Sequence, residues 1–344
     1  MLANLTCQSR NNEQKSRKEF CNNCSWHGFK YIVKNDRICE SGSQKSIKIL
    51  FVILTQHSRK LQRAVIRRTW ATKSKHNTGN IRYMFLLGVS SSEKENLDII
   101  RESKLYGDIL IEDFQDTYNN LTLKTIMAFK WASEKCRNAK YVMKIDDDMW
   151  INYPQLLKTI SVYAKELKTT IGGKCFHNVK VDRNCFSKWY VSRKLYSGER
   201  YPCFCSGTAY ITSLNLVRKI YEISKNVPYF YLEDVYVGLC VNKLGYNVTN
   251  IPGFYNQNAT FSENLCDYKK PDIITVHKIP PSKIETLWNI KCDNKTTFIR
   301  DIEFDKQTVN IPQVMIDIGC GDVMVSYQVT IALVNKSESE FMLK

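Results

Sequence analysis

The sequence lacks any run of about twenty apolar residues, the length needed to cross a bilayer, and it has no N-terminal segment with the parts of a signal peptide. Its most apolar stretch, Ile47–Leu54, is strand-sized and has Lys48 inside it. Membrane association is therefore expected only through an anchor not present in this chain; otherwise the protein is secreted or retained by other means. With 14 Gly and 8 Pro in 344 residues, and no internal repeat, collagen and solenoid architectures are excluded. No RNP or zinc-finger signature accompanies the net charge of +16, so nucleic acid is not the expected partner. A surface this basic suits an anionic ligand such as a diphosphate or an acidic membrane, or is simply a solvated lysine-rich face.

What the chain does have is 43% hydrophobic residues, enough for a substantial core, and thirteen cysteines. So many cysteines suggest an oxidising compartment, and an odd number leaves at least one thiol unpaired within the chain. Cys21 and Cys24 form a C-x-x-C flanked by Cys7 and Cys39; a disulfide cluster in a stem fits better than a zinc site, since no histidine pair follows. Seven N-x-S/T sequons, at Asn4, Asn23, Asn120, Asn247, Asn258, Asn294 and Asn335, agree with the secretory route.

Residues 1–45 are polar, lack sustained periodicity and read as a stem or linker. From residue 46, strand-like and helical patterns alternate. Strands are expected at Ile47–Leu54, at Tyr83–Leu87 (ended by Gly88), at Asp108–Ile111 and at Tyr141–Ile145. Helices are expected at Leu61–Trp70, over 91–105 and at Leu121–Cys136. This alternation predicts an α/β domain over 46–292 with a mostly parallel, Rossmann-like sheet flanked by helices. Residues 293–344 form a C-terminal extension. It contains M-I-D-I-G-C-G-D at 315–322, a methyltransferase-like glycine motif with too little chain after it for a nucleotide-binding unit.

The strand at Tyr141–Ile145 runs directly into Asp146-Asp147-Asp148. In a parallel α/β sheet, ligands bind beyond the carboxyl ends of the strands. Alternate residues of an extended segment face the same way, so Asp146 and Asp148 can converge on one hard cation, which prefers oxygen ligands. Acidic triplets in loops are ordinarily just solvated; the strand that delivers this one sets it apart. A second acidic pair, Glu233-Asp234, stands among apolar residues in Y-L-E-D-V-Y-V-G-L-C. From the residues alone it suits either the start of a helix or a functional site.

Motifs in order along the chain resemble the β-1,3-glycosyltransferase family, within it the β-1,3-galactosyltransferase branch. They are R-A-V-I-R-R-T-W at 63–70, F-L-L-G at 85–88, E-D-F-Q-D-T-Y-N-N-L-T-L-K-T at 112–125 and Y-V-M-K-I-D-D-D-M-W-I-N at 141–152. Beyond these come S-K-W-Y at 187–190, Y-P-C-F-C-S-G-T-A-Y-I-T-S at 201–213, E-D-V-Y-V-G-L-C at 233–240 and I-T-V-H at 274–277. The resemblance implies a GT-A fold, a UDP-sugar donor, Mn²⁺ and inversion at the anomeric carbon. It implies Asp146, Asp148 and His277 as metal ligands and Asp234 as the base. On the donor side it implies Arg63, Arg67, Trp70, Asp116, Lys124 and Asp147; on the acceptor side, Trp189, Tyr190, Tyr201, Gly207 and Glu233. Read without the family, His277 is an ordinary histidine and the aromatics are ordinary core. Ala209 stands where the family usually has glycine, and its β-carbon is expected to narrow the acceptor cleft; Cys203 stands where the branch usually has proline.

The expected activity is transfer of galactose from UDP-galactose to a 3-hydroxyl of a GlcNAc- or GalNAc-terminated glycan on protein or lipid, in the Golgi lumen. The alternatives are an N-acetylglucosaminyltransferase and a non-catalytic chaperone or glycan-binding relative. The latter is expected to have lost the acidic groups that this chain keeps. If the chain passes through a secretory pathway, peptide N-glycosidase F treatment of the protein from secretory cells should lower its apparent mass; no shift at all would contradict that route.

Overall fold

The computed structural model describes residues 28–40, 46–256 and 263–292. The elements in chain order are β1 (Tyr31–Val33), β2 (Ile47–Leu54), α1 (Lys60–Arg68), β3 (Ile81–Val89), α2 (Glu93–Tyr106), β4 (Ile109–Gln115), α3 (Leu121–Lys135) and β5 (Ala139–Asp146). They continue with β6 (Trp150–Ile151), α4 (Tyr153–Val162), β7 (Thr170–Phe176), β8 (Phe204–Ser213), α5 (Leu214–Ser224) and α6 (Glu233–Lys243), then β9 (Asn247–Asn250), β10 (Phe254–Tyr255), β11 (Thr275–Val276) and α7 (Pro281–Asn289). The main sheet runs β1-β4-β3-β2-β5-β8-β7-β9, and a small sheet runs β10-β11-β6.

The central strands β4, β3, β2 and β5 are parallel. Covered by helices on both faces, such strands read as continuous apolar runs; in β2 every residue except Lys48 is buried. The chain leaves β2 towards β3 and β4 on one side and returns to β5 on the other. The strand order therefore reverses at β2 and β5, and the crevice at their carboxyl ends is where a ligand is expected. Beyond β5 the sheet continues through two antiparallel pairings, β5 with β8 and β8 with β7, and β9 pairs parallel with β7. The sequence reading missed β7 and β8, because T-I-G-G-K-C-F and F-C-S-G-T-A-Y carry glycine and small polar residues that obscure strand periodicity.

Three local expectations are corrected. Gly88 does not end β3, which continues to Val89. A β-carbon at 88 would lie 2.4 Å from the Phe114 carbonyl oxygen, so glycine there admits β4 rather than breaking the strand. Part of the segment read as a stem belongs to the sheet: β1 pairs antiparallel with β4, Tyr31 opposite Glu112. Cys39 is not in a stem cluster but bonds Cys136, 97 residues away. A second disulfide, Cys175–Cys205, joins paired positions on β7 and β8. Cys7, Cys21, Cys24, the sequons at Asn4, Asn23, Asn258, Asn294 and Asn335, and the extension 293–344 lie outside the described residues. Among the described residues no helix is long and apolar enough to cross a membrane.

Closing a loop of 97 residues stabilises the fold by about 4–5 kcal/mol in the chain-entropy model. Cys39→Ser should therefore lower unfolding free energy in denaturant by several kcal/mol; a loss under about 1 kcal/mol would show that the bridge adds little.

Candidate active site

Asp146 ends β5, and the chain turns through Asp147 and Asp148 into β6. The small sheet then brings in a histidine from far along the sequence. Val276 pairs with Trp150 and Thr275 with Ile151, and the Ile279 amide donates to the Asp148 carbonyl at 2.8 Å. His277 thereby reaches Asp148, its Nε2 3.3 Å from Oδ1. Its other nitrogen, Nδ1, lies 3.0 Å from the Asn256 carbonyl oxygen. Nδ1 is then the protonated nitrogen and Nε2 is free to face the carboxylates.

Asp146, Asp148 and His277 each offer a ligand atom within 4.8 Å of the others. Asp148 Oδ1 is buried and accepts no hydrogen bond. A buried carboxylate oxygen left without a donor is costly, and a cation would satisfy it. Two carboxylates and an imidazole suit a divalent ion such as Mn²⁺, so the residues fit the expected metal. Desolvation shifts the Asp146 carboxyl up, despite Lys144.

Asp147 points the opposite way, into the crevice between β2 and β5. Its Oδ2 accepts from Thr55 Oγ1 at 2.6 Å, and burial pushes its pKa up to about 6. Arg59 stands 3.9 Å from its Oδ1 with a side chain 39% exposed, a cation at the mouth of the crevice. Thr55 and Arg59 were not foreseen; their only signal was their place directly after β2.

The other residues expected on the donor side are gathered at the same sheet edge, but several face inward. Arg63 is buried in a two-pronged pair with Glu102, at 2.9 and 2.7 Å, and also donates to the Gln56 carbonyl. Arg67 grips Asp108 through two bonds of 2.8 Å and Glu102 through one of 2.7 Å, and stacks on Tyr106. Trp70 is buried against Phe51. Lys124 Nζ is buried between Asp116, at 2.7 Å, and the Thr55 carbonyl, at 2.7 Å. Asp116 also accepts from the Gly88 amide. These groups hold the β2–α1 loop and the ends of β3 and β4 in place; the donors of Arg63, Arg67 and Lys124 are engaged within the protein, while the buried Trp70 indole nitrogen has no hydrogen-bond partner.

On the other wall, α6 begins with Glu233 and Asp234. Glu233 is buried, accepting from Thr125 Oγ1 at 2.9 Å and the Tyr210 hydroxyl at 2.7 Å, so it is turned into the protein rather than towards an acceptor. Asp234 is only partly buried. Its Oδ2 accepts from the Gly207 amide at 3.2 Å and its Oδ1 from the Val235 amide at 2.9 Å. Burial raises its pKa, against the pull of those amides.

Of the expected acceptor aromatics, Trp189 is 53% exposed with the Lys188 ammonium over its ring. Tyr190 and Tyr201 are buried, and Tyr201 packs into a ring cluster with Tyr196, Phe204 and Phe230, so neither offers an open platform. Tyr118, half-exposed and close enough to Asp234 to feel its charge, is a more open ring that the sequence reading passed over. Ala209 does not narrow the cleft: it is buried in the core opposite Ile145.

The sheet, with a D-x-D pair and a histidine at its switch-point crevice and a carboxylate on the facing wall, fits a divalent metal, a nucleotide-sugar donor and a glycan acceptor, the parts of a glycosyltransferase. The chain belongs to the galactosyltransferase family: the family model described as Galactosyltransferase matches residues 61–252. It is similar to beta-1,3-galactosyltransferase 1 of Homo sapiens, 37% identical over 265 residues that cover 76% of this chain and 78% of that protein. It is also similar to beta-1,3-galactosyltransferase 5 of Homo sapiens, 35% identical over 243 residues that cover 70% and 77%. The solved structure of the galactosyltransferase LgtC with donor and acceptor sugar analogues shows 13% identity and a TM-score of 0.35 over 69% of this chain and 94% of that one, a likeness too slight to bear on the site.

Asp148→Ala should abolish Mn²⁺ binding measured by calorimetry while leaving metal-free thermal unfolding nearly unchanged; undiminished binding would remove this group as the metal site.

Proposed function

We propose that this protein transfers galactose from UDP-galactose to a 3-hydroxyl of a glycan acceptor, a GlcNAc or GalNAc terminus on protein or lipid, in β-1,3 linkage, with Mn²⁺ bound by Asp146, Asp148 and His277. The observation that carries the reading is the pairing of this ligand group, beyond the carboxyl end of β5, with one partly exposed carboxylate, Asp234, at the start of α6. Donor sugar and linkage are supported by the names of the similar human proteins. Disulfides within the fold and the sequons at Asn120 and Asn247 support the Golgi lumen as its location.

When bound, a divalent ion supplies positive charge against the diphosphate that leaves. Asp147, Thr55 and Arg59 line the crevice where the nucleotide is bound and oriented. On the acceptor side Asp234 takes the proton of the 3-hydroxyl. The freed oxygen bonds to the anomeric carbon as the bond to UDP breaks, its electron pair leaving with UDP. Approach from the face opposite the leaving group inverts the configuration. Asp234 suits the base role because its two amide contacts fix the carboxylate, while burial raises its pKa and so its proton affinity. Glu233, already accepting from Tyr210 and Thr125, is left with the role of holding the helix start.

Asp234→Asn should leave UDP and Mn²⁺ affinity unchanged and reduce kcat by at least about 10²-fold; near wild-type turnover would exclude Asp234 as the base. A base must be unprotonated to act. Since the pKa of Asp234 is raised, kcat should fall as pH drops through a value above the ordinary aspartate range, and a profile flat down to that ordinary range would contradict the assignment.

A further inference from the structure

We propose that Lys144 is a positioning residue shared by both halves of the reaction centre: one buried ammonium fixes Asp146 on the metal side and, through its carbonyl, Gly207 on the base side. The proposal rests on the reading of Asp146 as a metal ligand and Asp234 as the base.

Lysine is rarely buried unless it is paired, and Lys144 is 2% exposed. Two residues before Asp146 on β5, it shares that residue's face of the strand. An ammonium has three donors, and three acceptors from three elements surround this one. Asp146 Oδ1 lies at 2.7 Å, the Gly207 carbonyl on β8 accepts a second bond, and Glu233 Oε2 at the start of α6 lies at 3.7 Å. Burial alone would favour loss of the proton, but Asp146 and Glu233 outweigh it and keep the group charged.

Two consequences follow for the reaction. With Oδ1 held by Lys144, Asp146 has Oδ2 to offer an ion, so the lysine selects the rotamer that presents a single oxygen. Gly207, whose carbonyl Lys144 holds, donates its amide to Asp234 Oδ2. The spacing of metal ligand and base is thus set by one chain of hydrogen bonds, Asp146–Lys144–Gly207–Asp234. A β-carbon at 207 would meet Glu233 Oε2 at 2.9 Å, so glycine leaves that carboxylate its place.

A plain charge-neutralising role for Lys144 makes different predictions, which a double variant exposes. Lys144→Met leaves Asp146 and Glu233 without their shared cation; adding Glu233→Gln removes one of the two charges while keeping an acceptor for Thr125 and Tyr210. The measurements are metal-free Tm, Mn²⁺ affinity by calorimetry, and kcat at saturating Mn²⁺. Lys144→Met should weaken Mn²⁺ affinity by about tenfold or more and cut kcat by about 10²-fold. The double variant should regain Tm yet keep both defects. Recovery of affinity and turnover along with Tm, or a Lys144→Met protein within about threefold of wild type in both, would overturn the proposal. Asp148→Ala and Asp234→Asn run alongside test the underlying reading. Unchanged Mn²⁺ affinity in the first, or unchanged kcat in the second, would overturn that reading and the proposal with it. Failure confined to the Lys144 variants overturns the proposal alone.

Discussion

Everything at this site depends on how negative charge is held at the carboxyl edge of the sheet. Asp146, Asp148 and Asp234 stand at one cleft with Glu233 buried beside Asp234, and like charges about 4 Å apart repel by about 4 kcal/mol at a protein-like dielectric. Lys144 answers part of that charge. The oxygen of Asp148 that accepts no hydrogen bond marks the place where a divalent ion would answer more of it. One buried strand delivers Lys144 and Asp146 together and runs on into Asp148.

A second charged layer sits beneath the nucleotide crevice. Arg63 and Arg67 bind Glu102 and Asp108, and Lys124 binds Asp116, all largely buried. Removing one partner of such a pair typically costs about 3–5 kcal/mol, because the other is left uncompensated. These residues stiffen the loops that carry Thr55, Arg59 and Asp147. In the proposed reading the motif R-A-V-I-R-R-T-W is therefore scaffold beneath the donor pocket, and Thr55, Arg59 and Asp147, just outside it, stand nearest the crevice.

The parallel half of the fold was legible because buried parallel strands leave apolar runs, and Ile47–Leu54 is one. The antiparallel half was not, since β7 and β8 are broken up by glycine and small polar residues. Nor was β1, three residues long within a polar stretch. In the site, the strand leading into Asp146 could be read directly. His277 could be reached only through the resemblance, because its approach to Asp148 is made by two two-residue strands pairing far apart in sequence. Burial decided the rest: Glu233 and Asp234 look alike in sequence, and only packing turns one inward and leaves the other partly open. Tyr190 and Tyr201 are core for the same reason, whereas Lys144 stood in plain view inside the acidic motif, a charge in an apolar strand.

The central claim is tested most directly by the structure of the product. The protein, with Mn²⁺, UDP-galactose and an acceptor ending in GlcNAc, should yield a disaccharide terminus whose proton and carbon NMR spectra report galactose joined β to the 3-position, and EDTA should abolish its formation. An α linkage, attachment at another hydroxyl, or undiminished product in EDTA would contradict the account.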